Sequence, residues 1–451
     1  MNRRRFLTKL VNQLALTLLL VSNVCFYTEE YLIIYTLMSM AGMFVAFAGN
    51  VRSFSLKFRP AGCVFWLAAV YSLIFFYGFA FLQAGEFNSD ALLFRLGEEL
   101  ATFIIMRELV RFRVKTVTKP FIIAGIFSIG MMIYEEGTAI LEGGMRVGDT
   151  LSGNTNTVAY NLSLIALLVV WTFCAEHKFK YLLLFIAFMP FIFITGSKKG
   201  LIVIGFGFMM LMYYNRKNVF MWVAVLIGAA AAIYVVFEVD YFYNIVGFRI
   251  EDMYYTLTGQ ATRLNYSYST EERTYMINEG FQFFLDKPIF GGGFNYFYSR
   301  TATDWEYSHC NYIEMLCTFG VTGTLVYYSK HIGNLVRLFI AKADSDRIRD
   351  LRTIAIFLVF TALALDVTAV SFSQQMVWYL PIIISCCCLD EIGRIKRMHH
   401  RAALPVKAEA VIKPGRRRMP EDERRRRERL RDISRNRSAE MRSRAWERIK
   451  K

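Results

Sequence analysis

The feature that most constrains this chain is a series of long apolar runs, many of them about 20 residues long, the length that an α-helix needs to cross a bilayer core. Hydrophobic residues make up 55% of the 451 residues, and the charged residues are confined to short gaps between the runs. A soluble chain of this length would instead form two or three domains with polar surfaces. The pattern therefore predicts an all-α, polytopic transmembrane helical bundle with about twelve spans.

The net charge of +16 is concentrated at the C-terminal end of the chain. Residues 394–451 hold 22 Lys and Arg against 8 Asp and Glu, so nearly all of the excess lies there. We predict a transmembrane domain over residues 1–390 and a basic tail over 391–451, which has too few apolar residues for a core and is disordered or partly helical. Anionic lipid or a cytoplasmic protein is the expected partner of this tail, and nucleic acid is a less favoured one.

Basic residues between the runs set the orientation, because loops rich in Lys and Arg remain in the cytoplasm. Alternate gaps carry such residues, whereas none occurs at 28–30, 84–90 and 371–375. With twelve spans the alternation holds along the chain, which places both termini in the cytoplasm. The segment at about 239–308 is then one long external loop, and residues 272–286 within it have the pattern of an amphipathic helix at the membrane interface.

Two cationic signals lie on the predicted outer side. The segment Thr195–Gly200 (TGSKKG) joins two apolar runs, and its Lys198 and Lys199 stand in a glycine-flanked turn that leads into a helix. Positive charge, backbone N–H groups and a helix N-terminus together suit the binding of a diphosphate. The alternative is an ordinary tight turn whose lysines reach lipid headgroups. Arg273 begins the amphipathic segment, where its guanidinium suits phosphate or pairs with an adjacent glutamate.

Polar residues at two helix starts complete the candidate site. In Ser308–Glu314 (SHCNYIE), His309 is the one histidine of five that this topology puts outside, where a neutral imidazole can accept a proton. Glu314 lies three residues after Asn311, so the two side chains share a helix face. This pair suits a role in catalysis or substrate orientation, and it equally suits a capping box in which Glu314 closes the helix start. Amides at a helix start suit a hydroxyl-rich ligand or a helix cap, and the candidates for sugar contacts are Asn154, Asn156 and Asn311.

These pieces occur in a recognisable order, and the chain resembles the O-antigen ligase and polysaccharide polymerase (Wzy-like) superfamily over roughly residues 30–390. The final block is the most specific of the segments that match, which are Gly153–Asn156, Thr195–Gly200, Glu272–Arg273, Lys287–Phe297 and Ser308–Gly320. The family usually has Arg at the position of Lys198.

The resemblance implies a membrane glycosyltransferase of the GT-C type that uses no metal or other cofactor. Such enzymes transfer a glycan from polyprenyl diphosphate to an acceptor sugar, with inversion at the anomeric carbon. It implies that Lys198, Lys199 and Arg273 bind the diphosphate. It also implies that His309 activates the acceptor hydroxyl, with Glu314 as a further catalytic candidate.

We therefore expect polymerisation of polyprenyl-diphosphate-linked oligosaccharide repeat units into a surface polysaccharide (capsule, exopolysaccharide or O-antigen) on the outer face of a bacterial cytoplasmic membrane. The sequence motif His-x-Asn-Tyr-Ile-Glu resembles the corresponding motif of polymerases more than that of ligases. The expected partners are the lipid-linked glycan donor and acceptor and membrane lipids.

Ligase-type transfer of finished glycan to an acceptor is the alternative. A weaker alternative is a transporter or flippase in which the charged residues at 95–108 line a pathway. The hydropathy pattern shows no internal repeat of the kind that such proteins have. A scaffold that recruits partners through the tail is weaker still.

Overall fold

The computed structural model describes residues 3–57, 62–80, 89–143, 146–260, 268–301, 307–372 and 376–403. The regular structure in these ranges is entirely helical, which confirms the predicted all-α class. A π-helical turn spans Tyr243–Gly247. The α-helices are α1 Arg3–Cys25, α2 Leu32–Lys57, α3 Gly62–Ala80, α4 Ser89–Leu109, α5 Val114–Glu142, α6 Asp149–Ser152, α7 Thr155–Glu176, α8 Phe179–Ile194, α9 Lys198–Tyr214, α10 Val219–Glu238, α11 Asp240–Phe242, α12 Phe248–Leu257, α13 Tyr268–Asp286, α14 Tyr296–Arg300, α15 Asn311–Ile340, α16 Asp346–Leu365 and α17 Met376–Ala403.

Six helical segments in the described ranges are long and apolar enough to cross a membrane. They are Arg5–Cys25, Leu32–Asn50, Val114–Glu142, Thr155–Glu176, Val219–Glu238 and Met376–His400. Helix α9 has 17 residues, which at about 1.5 Å per residue is shorter than a bilayer core of about 30 Å. Helix α4 is interrupted by charges. The count of twelve spans therefore stays a prediction.

Helix α7 is the central helix of the bundle. Almost all of its residues are buried, including Trp171 and Tyr160, as expected for a helix that is apolar on every face. The start of α9 packs closely against it: a Cβ on Gly200 would lie 2.7 Å from Cγ2 of Ile192 and 3.1 Å from Oγ of Ser163. Because only glycine permits this approach, the first turn of α9 is fixed against α7 and α8.

Two of the charged residues of α4 point into the protein. Glu98 and Glu99 are both fully buried. The Glu98 carboxylate accepts hydrogen bonds from Asn23 at 2.9 Å and Tyr35 at 3.1 Å, and that of Glu99 accepts one from Tyr71 at 2.7 Å. A charged residue at such depth needs a protein interior or a water-filled cavity around it, and here it has the interior. These contacts join α4 to α1, α2 and α3.

A break in α15 attaches the glycine turn Gly291–Gly293, which follows α13. At Gly320 the backbone has a φ of +64° and leaves the helical conformation. The N–H groups of Gly292 and Gly293 donate to the carbonyl groups of Cys317 at 2.7 Å and Thr318 at 3.0 Å. Cys317 Sγ also donates to the Gly280 carbonyl of α13 at 2.9 Å. Helix α13, which carries Arg273, is thereby held against α15.

The segment at 239–308 contains α11, the π-helical turn, α12, α13 and α14 in its described parts. The predicted amphipathic helix at 272–286 is confirmed, since it lies within α13. Its position outside the membrane stays a prediction. Residues 404–451, most of the predicted basic tail, lie outside the described residues.

Candidate active site

The predicted glycine-flanked turn between α8 and α9 is confirmed. Helix α8 ends at Ile194 and α9 begins at Lys198. Gly196 has a φ of +61°, and a Cβ there would lie 2.8 Å from the carbonyl oxygen of Ile245 in the π-helical turn. Glycine is required on both counts. Lys198 and Lys199 are therefore the first two residues of α9, beside the segment that leads to α12.

Arg146, which lies between α5 and α6, clamps this turn. Its Nε donates to the Thr195 carbonyl at 2.8 Å, and its Nη2 donates to Oδ1 of Asn156 at 3.0 Å. The same Oδ1 accepts a bond from Oγ of Ser197 at 2.9 Å. Asn156 thus ties the turn Thr195–Gly200, which we call the lysine turn, to the start of α7. Sequence reasoning offered it as a sugar contact, and the structure gives it a positioning role in addition.

Asn154 is the N-cap of α7. Its side chain accepts a hydrogen bond from the Asn156 N–H at 2.8 Å, and the residue is exposed. This is the capping alternative stated for the motif. Its contact with a sugar stays a prediction.

Helices α12 and α13 carry the other cations of the site. Arg249 is the second residue of α12, and Asp252 lies one turn later on the same helix. Arg273 is in the second turn of α13 and forms no ion pair with either neighbouring glutamate. Within the described ranges, no hydrogen bond or salt bridge is formed by the side chains of Lys198, Lys199, Arg249 and Arg273. We call these four side chains the open cations.

The open cations and Arg146 lie close enough to repel one another. Burial lowers the pKa of Lys198 to about 8, and the charges of Arg249 and Arg273 add to this effect. Burial lowers the pKa of Lys199 to about 7, with Arg273 and Arg146 adding to it. Like charges disfavour the protonated form of an amine. The predicted diphosphate-binding residues Lys198, Lys199 and Arg273 are therefore brought together, as the sequence analysis expected.

His309 lies beside this cluster in the segment that precedes α15. Its backbone has a φ of +55°, uncommon for a residue other than glycine, and its ring packs against Tyr307 with centroids 4.4 Å apart. Burial lowers its pKa to about 4, and the charges of Arg273 and Lys199 contribute. The imidazole is consequently neutral at physiological pH, which is the form that accepts a proton.

Glu314 holds the segment that carries His309. Its carboxylate is buried and accepts a hydrogen bond from the Ser308 N–H at 2.8 Å. Oγ of Ser308 donates to the Cys310 carbonyl at 3.1 Å. These bonds fix the chain on both sides of His309 and correspond to closure of the helix start, one of the two roles considered for Glu314. Direct participation of Glu314 in catalysis stays a prediction.

Asn311 is corrected from a sugar contact to a structural residue. It is fully buried, and its Nδ2 donates to Tyr328 at 2.9 Å and to the Asp366 carboxylate at 3.3 Å. Its Oδ1 accepts from the N–H groups of Ser371 at 2.8 Å and Phe372 at 3.1 Å. Every hydrogen-bonding position of this amide is occupied by protein, so none is left for a sugar.

Sequence reasoning missed Arg146 and Arg249 as members of the site. Arg146 is the one basic residue between the apolar runs at 120–140 and 155–175, whereas Arg249 is one of five basic residues in the segment 239–308. The isolation of Arg146 was a signal that would have singled it out, and no such signal distinguishes Arg249 from its neighbours. Their connection to Lys198 depends on contacts between segments that are distant in the sequence.

Residues 181–328 match the family model Wzy_C, described as O-antigen ligase. The matched segment begins in α8 and contains the lysine turn, Arg249, Arg273 and His309, whereas Arg146 lies before it. No curated protein matches the chain.

Proposed function

We propose that this chain, as a member of the O-antigen ligase and Wzy-like superfamily, polymerises oligosaccharide repeat units carried on polyprenyl diphosphate. The site would transfer a growing glycan from its lipid diphosphate to a hydroxyl group of the next repeat unit. Because the family match includes the lysine turn, Arg273 and His309, the proposed chemistry uses residues inside the matched segment.

One observation carries the proposal: a neutral imidazole lies beside open cations. Arg273 and Lys199 act electrostatically on His309, and neither has an acidic partner among the described residues. A cluster of cations without acidic partners binds a polyanion, and a guanidinium binds phosphate oxygens in pairs. A base and an anion site in one place are what glycosyl transfer from a diphosphate requires.

The reaction follows from these groups. The acceptor hydroxyl gives its proton to His309, and its oxygen forms a bond to the anomeric carbon from the side opposite the diphosphate. The bond between that carbon and the diphosphate oxygen breaks, and the electron pair leaves with the oxygen. The open cations stabilise the negative charge that develops there. No general acid is needed, since a diphosphate is a stable anion.

The bound diphosphate also prepares the base. In the empty site, the charges of Arg273 and Lys199 lower the pKa of His309. A diphosphate between them cancels those charges, so the imidazole becomes a stronger base when the donor is present. Proton removal is then coupled to occupancy of the donor site.

The membrane arrangement completes the proposal. We place the site at the outer face of a bacterial cytoplasmic membrane, in a bundle of about twelve spans with both termini in the cytoplasm. In this arrangement the six candidate spans are joined by shorter or kinked helices such as α9 and α15. The donor's lipid would enter sideways from the bilayer.

A deletion strain tests this function. Loss of a polymerase leaves single repeat units attached to the normal acceptor, and we expect this product. Accumulation of long lipid-linked polymer would instead identify a ligase, which transfers finished glycan. Unchanged glycans, or transport of lipid-linked units by purified protein without elongation, would refute glycosyl transfer.

A further inference from the structure

A cleft with a basic lining lies at the end of α9 that is remote from the candidate active site. Its volume is about 300 Å³, and it is lined by residues 213–218, which join α9 to α10, and by Arg349 of α16. We call it the basic cleft. Helix α9 begins at Lys198 and ends at Tyr214, so at about 1.5 Å per residue its two ends are about 25 Å apart. The basic cleft is therefore separate from the lysine turn.

Two arginines of the basic cleft are stacked on tyrosine rings. The guanidinium carbon of Arg216 lies 5.9 Å from the ring centre of Tyr213, and that of Arg349 lies 5.9 Å from the ring centre of Tyr214. The Tyr214 hydroxyl donates to Oδ1 of Asp350 at 3.1 Å, which fixes this ring. A guanidinium that is already oriented by an aromatic face loses little freedom when it binds phosphate oxygens.

Positive charge predominates in the lining. Among the residues that the structure describes, Arg216 and Lys217 have no partner in a hydrogen bond or salt bridge. Arg349 pairs with Asp346 at 3.2 Å, and the Asp346 side chain is 87% exposed. A surface pair of this kind is weak, so a phosphate can take its place. No carboxylate lines the cleft, which therefore suits an anion.

Helix α10 supplies an apolar surface directly beside these cations. Val219, Phe220 and Trp222 follow the turn and are exposed, and only two of the 20 residues of α10 are buried. Because α10 is long and apolar enough to cross a membrane, this surface suits contact with acyl chains. Tryptophan is typical of the level at which acyl chains meet headgroups. The basic cleft and α10 thus offer a charged and an apolar surface in the order that a phospholipid presents them.

We propose that the basic cleft binds the headgroup phosphate of an anionic phospholipid whose acyl chains lie along α10. Arg216 and Lys217 occupy one of the basic gaps that the sequence places in the cytoplasm, so the lipid belongs to the cytoplasmic leaflet. A zwitterionic headgroup would bring its ammonium group towards the same cations, which disfavours it. The bound lipid gives α10 a packing partner that the described protein does not supply.

Two lipids with the same acyl chains test the charge preference. Dioleoyl phosphatidylglycerol is anionic, and dioleoyl phosphatidylethanolamine is zwitterionic. Each would be titrated against the purified full chain in detergent, with bound lipid counted by native mass spectrometry. We expect the anionic lipid to bind about fivefold more tightly or better, because basic residues near the cytoplasmic surface favour anionic lipid. Equal affinities would overturn the proposal.

A matched pair of double variants assigns the preference to the basic cleft. Arg216→Gln with Lys217→Gln should weaken binding of phosphatidylglycerol about tenfold, a factor that corresponds to about 1.4 kcal/mol. Lys178→Gln with Lys180→Gln removes two charges from the same predicted face and should leave the affinity unchanged. Both control lysines are exposed, and Lys180 also lies over a tyrosine ring, that of Tyr181, at 5.2 Å. Equal weakening in the two double variants would show a general attraction and overturn the site.

A charge-conserving variant separates loss of the site from loss of the fold. Arg216→Lys with Lys217→Arg keeps both charges and should bind phosphatidylglycerol within about twofold of the unaltered chain. Failure of this variant to bind, while it elutes as a monodisperse protein, would overturn the role assigned to charge.

A soluble competitor distinguishes a lipid from a free phosphate. Glycerophosphoglycerol is the headgroup of phosphatidylglycerol without its acyl chains, and we expect it to leave the bound lipid in place. Displacement of the lipid by glycerophosphoglycerol or inorganic phosphate at similar concentrations would identify a site for soluble phosphates and overturn the lipid assignment. These measurements involve no glycosyl transfer, so their outcome is independent of the proposed function.

Discussion

Replacing Gly196 with alanine perturbs the lysine turn at the point where it contacts the π-helical turn. The added Cβ would lie 2.8 Å from the Ile245 carbonyl oxygen and 3.1 Å from Cγ of Arg146. The left-handed backbone at φ +61° costs an alanine roughly 1–2 kcal/mol. The contact adds about 1–3 kcal/mol, since the backbone carbonyl and the clamped arginine cannot both retreat.

Gly259 supplies the matched control for this substitution. Its φ of +69° is similar, and a Cβ there meets nothing within 4 Å. Gly259→Ala therefore shows the backbone cost alone, and the difference between the two variants isolates the contact at Ile245. We expect Gly196→Ala to unfold at a lower temperature than Gly259→Ala.

The larger expected effect of Gly196→Ala is on elongation. Relief of the contact moves the turn by a few tenths of an ångström or more, and Lys198 and Lys199 move with it. A displacement approaching 1 Å at a reacting site costs up to about a hundredfold in rate, so we expect a loss of about tenfold to a hundredfold. Elongation of lipid-linked repeats by each variant in membranes measures it. If Gly196→Ala elongates as fast as Gly259→Ala, the turn need not be held in this position, and the reasoning is refuted.

Further variants test the other parts of the site. Lys198→Arg should keep activity and Lys198→Ala should lose it. In the empty site the pKa of Lys198 is lowered to about 8, so its positive charge is lost as the pH rises through that value. Lys198→Arg, which stays charged, should therefore extend kcat/KM for the donor to higher pH. Arg273→Ala and His309→Ala should each leave the protein in the membrane and stop polymer formation, and normal chain lengths in either would count against its role. Glu314→Gln should retain much of the activity, because an amide oxygen still accepts the hydrogen bond from the Ser308 N–H. Glu314→Leu removes this acceptor and should lose both activity and thermal stability. Equal loss of activity in both variants would indicate that the carboxylate charge takes part in the chemistry.

Several features of the fold and site were determined by local sequence. The apolar runs predicted an all-helical chain, because a run of this length can satisfy its backbone groups in a membrane only as a helix. The lysine turn and the helix over 272–286 were predicted for the same kind of reason, since glycine, charge and hydrophobic period act within a few residues. His309 was placed at a helix entrance, and α15 begins two residues after it.

Tertiary structure decided which of these residues meet and what surrounds them. Arg146 and Ser197 share the amide of Asn156 across 41 residues of sequence, and Asn311 is enclosed by Asp366 and Ser371 more than 50 residues away. No local pattern distinguishes a buried amide from one that faces a ligand. The charge of a site depends on every group within a few ångströms, and helix packing alone sets those neighbours. Helix formation could be predicted from the sequence because its causes are local, whereas the surplus of positive charge beside His309 exists only once distant segments pack together.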